Sequence, residues 1–117
     1  MNLLEETIKA LGDNGYELND IAYICSLDGR YHTDYDTFSK LADFDYDDGF
    51  GSAKVATDLC IVLDGGSWLE RYEYDGSEGW VYKRKPTRTS LCKPILKLTD
   101  NEAYWPTVSE LNQEVEV

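Results

Sequence analysis

Leu3, Leu4, Ile8 and Leu11 recur at helical spacing, so the chain opens with an amphipathic helix whose apolar stripe belongs to a core. Asn2 is placed to cap this helix, and Glu5 sits at its third position, where a capping-box carboxylate belongs. Gly12, Asp13, Asn14 and Gly15 end it, glycine being suited to the left-handed position just past a helix. The pattern then changes to a short apolar run over 21–27, rich in isoleucine, which predicts a strand closed by the turn pair Asp28-Gly29. Thr33 is the expected cap of a second helix over 34–42. Asp34 and Asp36 lie in its first turn, and Tyr35, Phe38, Leu41 and Ala42 form its core face.

The clearest pattern lies over 58–85. Residues 59–63 (Leu-Cys-Ile-Val-Leu) read as a buried strand, and Asp64-Gly65-Gly66 as a tight turn. Residues 68–74 follow as a second strand, with Trp68, Tyr72 and Tyr74 on one face by the period of two. A turn over 75–79 leads into a third strand over 80–85, ended by Pro86. Short glycine turns make these three an antiparallel meander, and cross-strand aromatic pairs are expected between the second and third strands. Beyond it, 86–94 reads as a loop and 95–98 as a short further strand. Thr107 caps a last helical segment, with Glu110 three residues on and Val108, Leu111 and Val115 below. The predicted fold is α+β: one domain over 1–117, an antiparallel sheet of three to four strands, and the N-terminal and one or two further helices on one face.

Composition sharpens this picture. A content of 42% hydrophobic and 13% aromatic residues, including nine Tyr and three Trp, supports a real core and argues against disorder in spite of the charge. The net charge of −12 is unevenly spread. Residues 79–99 contain no acid and carry Lys83, Arg84, Lys85, Arg88, Lys93 and Lys97, whereas the rest has 5 basic and 23 acidic residues, a net of −18. Such polarity points to a charged partner. The N-terminus brings Glu5 and Glu6 where a signal peptide would be apolar, and no run approaches the roughly 20 apolar residues that span a bilayer. Cys25, Cys60 and Cys92 show no CxxC spacing, which predicts free thiols in a reducing cytoplasm, with Cys25 and Cys60 as buried, inert core groups.

Candidate chemistry concentrates in one segment. Asp34, Asp36, Asp43, Asp45, Asp47 and Asp48 alternate with Tyr35, Phe38, Phe44, Tyr46 and Phe50. If 43–47 is extended, Asp43, Asp45 and Asp47 project to one side about 6.6 Å apart, twice the strand rise. That spacing imitates phosphates along a nucleic-acid strand and suits a basic channel on another protein. The bland alternative is a solvated acidic loop. The same stretch starts like an EF-hand and then departs from it: Asp48 stands at the sixth position, Gly49 follows one late, and Lys54 occupies the twelfth. The basic block 80–97, with Trp80 and Tyr82 beside Lys83-Arg84-Lys85, has the composition of a single-strand binder, although the acidic remainder repels a polyanion.

Catalysis finds little footing. His32 is the only histidine, which removes multi-histidine metal sites, and a triad needs it close to a Ser or Cys, with no G-x-S-x-G elbow present. Asp64-Gly65-Gly66-Ser67 lacks the lysine and helix of a phosphate loop, and carboxylate pairs such as Glu70/Glu73 or Asp75/Glu78 are unremarkable in so acidic a chain. The sequence therefore predicts a non-enzymatic protein without cofactor or metal.

The stretch Asp58 through Asp64, then Trp68-Leu69-Glu70-Arg71, then Glu73-Tyr74-Asp75-Gly76-Ser77-Glu78-Gly79-Trp80 resembles a pattern in small uncharacterised proteins of phages and prophages of Gram-positive bacteria. Gly79 stands where that pattern often carries a second aromatic. The resemblance covers about a quarter of the chain and carries no functional residue with it. It implies an accessory protein acting inside a bacterial cell, by analogy with small acidic phage inhibitors of host nucleic-acid enzymes such as anti-CRISPR proteins. The leading expectation is thus an acidic interaction protein that docks Asp34, Asp36, Asp43, Asp45, Asp47 and Asp48, anchored by Tyr35 and Tyr46, on a basic surface of a host protein. Two alternatives stay open: a homo-oligomer joined through opposite charges, and single-strand binding through 80–97.

Overall fold

The computed structural model describes residues 1–49, 51–102 and 104–113. The chain divides into two compact units, Met1–Lys85 and Pro86–Val117, each treated by itself below. The first holds a five-stranded antiparallel sheet in the order β2-β1-β3-β4-β5, with β1 Ile21–Ser26, β2 His32–Thr33, β3 Leu59–Leu63, β4 Trp68–Tyr74 and β5 Ser77–Lys83. Helices α1 Leu3–Asp13 and α2 Tyr35–Leu41 complete it, so the α+β expectation holds.

β3 lies at the centre because its run of apolar residues tolerates burial on both faces, and Cys60, Ile61 and Leu63 are buried. Ile24, Ile61 and Leu69 stand side by side on three strands and form the floor of the core. Leu3 and Leu11 of α1, with Phe38 and Ala42 of and just beyond α2, close over them. Both helices therefore cover one face of the sheet.

Where the structure departs from the sequence pattern, a local hydrogen bond usually explains it. In α1 the buried line is Leu3, Thr7 and Leu11, while Ile8 is 45% exposed. Thr7 tolerates complete burial because its hydroxyl donates to the Leu3 carbonyl at 2.7 Å and accepts from the Trp80 indole at 2.9 Å. Asn2 caps α1 as expected, accepting from the Glu5 amide at 3.0 Å. The cap of α2 is Asp34, accepting from the Thr37 amide at 2.7 Å, and not Thr33, which is spent in β2. β2 itself adds a strand beyond the three to four expected. It forms because the Asp28-Gly29 turn folds the chain straight back, Ser26 donating its amide to the Tyr31 carbonyl.

The turn between β4 and β5 is tighter than five residues. Asp75 (φ 51°) and Gly76 (φ 86°) alone make it, and both being left-handed matches the hairpin's twist. β5 consequently starts at Ser77. The expected aromatic pairs do not form: Trp68 faces Lys83, Tyr72 faces Gly79 and Trp80 faces Arg71. Gly79 leaves room for the Tyr72 ring, since a Cβ there would stand 3.0 Å from it.

In the second unit α3 Val108–Asn112 is capped by Thr107, whose hydroxyl accepts from the Glu110 amide at 3.1 Å. Residues 95–98 are not a strand. The amides of Leu96 and Lys97 donate to Asn112 Oδ1 and the Lys97 carbonyl accepts from Asn112 Nδ2, so one side-chain amide takes the place of a strand partner. Val115 and Phe50 lie outside the described residues.

Ile61 is fully buried at the crossing of sheet and helices, so Ile61→Ala is expected to destabilise the first unit by about 2–5 kcal/mol, read from the urea midpoint.

Candidate functional site

The acidic segment follows the end of α2 and runs beside the N-terminus. Leu3 donates its amide to the Phe44 carbonyl and Tyr46 donates to the Met1 carbonyl, an antiparallel bridge centred on Asn2 and Asp45. This local extension puts Phe44 and Tyr46 on one side, rings 6.3 Å apart, and Asp43, Asp45 and Asp47 on the other. Asp34, Asp36, Asp43, Asp45 and Asp47 are exposed and Asp48 is half-buried. None of the ion pairs among the described residues involves any of the six. Their hydrogen bonds are to neutral groups: Asp43 accepts from the Asn2 side chain of the N-terminal segment at 3.0 Å and Asp47 from the Gly49 amide at 3.1 Å. The Thr37 amide and hydroxyl hold the Asp34 carboxyl below its ordinary range. Asp34 and Tyr35 line a groove of about 600 Å³ whose other walls include Leu18, Ile21 and Tyr23.

Tyr46 has a different position from its acidic neighbours. Its hydroxyl donates to Glu6 and accepts from Arg71 Nη2 at 3.0 Å, inside the unit. Burial and the Glu6 carboxylate push its hydroxyl up to about 12, so it stays protonated at neutral pH.

Arg71 is the centre of this interior cluster. Its side chain is 2% exposed, lies 3.3 Å from Glu6 and 3.2 Å from Glu78, and stacks its guanidinium 4.9 Å from the Trp80 ring centre. Glu78 is equally well held: the amides of Lys54 and Val55 donate to it at 2.6 and 3.1 Å. Burial works to raise the Glu78 carboxyl, but those two amides and Arg71 outweigh it and the net shift is downward. Arg71 Nε is the buried side-chain polar atom without a partner among the described residues, and Arg71 lines a cavity of about 60 Å³ together with Val55, Thr57 and Glu73. Trp80 and Tyr82, the rings expected to stack on a single strand, both face the helices: Trp80 bonds Thr7 and the Tyr82 hydroxyl meets that of Tyr16 at 2.9 Å.

The opposite face of the sheet brings together groups that sequence reasoning left apart. His32 of β2 faces Cys25 of β1, which faces Cys60 of β3, which faces Glu70 of β4. This transverse row places an imidazole, two thiols and a carboxylate on one side of the sheet. Cys25, His32 and Asp58 line a groove of about 390 Å³. Cys60 is 4% exposed, and burial together with the Cys25 thiol beside it pushes its own thiol up to about 11. Among the described residues no group of three or more His, Cys, Asp or Glu is arranged to hold a metal ion. No described helix is long and apolar enough to cross a membrane.

No known protein family, curated protein or solved structure matches the chain.

The Arg71 cluster escaped sequence reasoning, although the Asp75-Gly76 turn already sets Arg71 opposite Trp80. The His32–Cys25 pairing is signalled the same way, the two being equidistant from Asp28-Gly29. Arg71→Ala leaves Glu6 and Glu78 without their shared cation and is expected to cost about 3–5 kcal/mol in a urea titration. For Glu78 the folded value lies below its ordinary 4.5, so its contribution is complete above that pH and is lost as pH falls through the folded value. The wild-type urea midpoint should accordingly decline below pH 4.5, with a shallower decline in Glu78→Gln.

Proposed function

We propose that the protein acts by binding: its aspartate-rich surface docks on a basic, nucleic-acid-binding surface of another protein and competes there with nucleic acid. The observation that carries this reading is the state of the six aspartates. Five are exposed and all six stand outside the ion pairs of the described residues, so their charge is directed outward. The first unit holds 18 acidic and eight basic residues, a net of −10, which steers a cationic surface toward it.

The groove beside Asp34 and Tyr35 adds shape to charge. A partner's Arg or Lys fits such a place, its apolar stem against Leu18, Ile21 and Tyr35 and its head at Asp34. Asp43, Asp45 and Asp47 present further carboxylates along an extended segment, in the manner of successive phosphates. Phe44, 42% exposed, supplies an apolar contact beside them, a role that the inward bonds of Tyr46 leave to its neighbour. A host nucleic-acid enzyme in the bacterial cytoplasm is the partner this chemistry fits.

The test is capture from bacterial lysate at low and high salt, with and without competing nucleic acid, followed by association kinetics on the captured protein. A variant carrying Asp36→Lys, Asp45→Lys and Asp47→Lys is expected to associate at least about tenfold more slowly, with a flattened salt dependence. Unchanged association rejects the assignment. Salt-sensitive self-association in light scattering, with no partner captured, would replace it with a homo-oligomer joined through opposite charges.

A further inference from the structure

Cys25 and Cys60 occupy directly opposed positions on neighbouring antiparallel strands, within an unbroken register that also pairs Ile24 with Ile61 and Ser26 with Leu59. Opposed residues in such a ladder have Cα atoms about 4.5–5.5 Å apart, inside the roughly 4.4–6.8 Å window that a disulfide needs. Their side chains leave the sheet on the same face, which makes the two thiols cross-strand neighbours. Both are free.

The two sulfurs differ in access. Cys25 is half-buried and lines the groove of about 390 Å³ with Tyr31, His32 and Asp58, whereas Cys60 is 4% exposed. A small reagent entering the groove meets Cys25 first. Nothing in the interaction surface formed by the aspartates uses either thiol.

We propose that Cys25 and Cys60 form a reversible redox pair, in which Cys25 reacts with a low-molecular-weight disulfide and Cys60 resolves the adduct as an intramolecular disulfide. In the first step the Cys25 thiolate attacks one sulfur of the small disulfide. A mixed disulfide forms, and the other half leaves as a thiolate that takes a proton. In the second step the Cys60 thiolate attacks the Cys25 sulfur and expels the remaining small thiol. Two protein thiols lose two electrons and two protons, and the small disulfide gains them. The raised Cys60 thiol is a poor first nucleophile, and its fixed place beside Cys25 makes up for this in the second step. The product clamps β1 to β3, a pairing that joins residues far apart in sequence at the middle of the sheet. A reducing dithiol reverses it.

The experiment uses the full chain carrying Cys92→Ser, which removes the exposed third thiol. The folded protein is incubated with oxidised glutathione, quenched in acid, alkylated and weighed intact. The expected product has lost two hydrogens, takes up no alkylating agent, and yields a Cys25–Cys60 linked peptide on digestion. With Cys60→Ser added, one glutathione should stay on Cys25. With Cys25→Ser instead, Cys60 should remain unmodified over the same time. Alkylation of both cysteines after incubation overturns the proposal. So does a glutathione persisting on Cys25 while Cys60 is present, or a first adduct on Cys60. The parent measurement stands even if a second substitution prevents folding, because it needs only the intact pair.

Discussion

The first unit is organised around a cation buried between two acids. Removing an ion from water costs several kcal/mol even after relaxation, so Arg71 at 2% exposure exists only because everything around it answers its charge. Glu6 comes from α1, Glu78 from β5 and Tyr46 from the segment after α2, and the Trp80 ring lies against the guanidinium. Glu78 in turn fixes the loop before β3 through the amides of Lys54 and Val55. Hydrogen bonds to charged groups return about 1.5–3 kcal/mol each, which roughly offsets the desolvation and leaves little net gain. What the cluster supplies is specification. An arrangement that moved α1, the loop or the hairpin would strand a buried charge.

That constraint also shapes the surface. Because Tyr46 and Glu6 are drawn inward to Arg71, the alternation of the extended segment turns Asp43, Asp45 and Asp47 outward. The chain thus spends three of its acids and tyrosines on an interior charge and leaves Asp34, Asp36, Asp43, Asp45, Asp47 and Asp48 outside the ion pairs of the described residues. The basic residues at the end of β5 do not neutralise them: Lys83 stands 3.5 Å from Glu70, on the face of the sheet away from the helices. The acidic surface and the thiol row therefore belong to different parts of the unit and are built by different devices, one by a loop tied to the N-terminus, the other by strand register.

Local devices were the legible part. The Asn2 cap, the second helix, the three strands of the meander and the Thr107 cap rest on interactions within a few residues, and each formed close to its pattern, the third strand starting three residues early at Ser77. Hairpin partners follow from the connection: a four-residue loop over 27–30 sets Cys25 against His32, and the two-residue turn at Asp75-Gly76 sets Arg71 against Trp80. Errors came where a side chain did the work of backbone or of an apolar neighbour. Thr7 replaced Ile8 in the core because two hydrogen bonds satisfied its hydroxyl, and Asn112 replaced a strand beside 95–98.

Sequence alone, then, determined the α+β class, the outward charge and the short-range pairings, because each depends on residues near one another along the chain. Only the tertiary structure decided that Cys25 meets Cys60, and that Glu6, Arg71 and Glu78 share one site. Cys25 with Cys60, and Glu6 with Arg71, join segments whose separation is set by no turn, whereas Arg71 and Glu78 share the Asp75-Gly76 hairpin. The long-range meetings are chosen by the burial of the whole core and by the demand that every charge taken inside it find its counterpart.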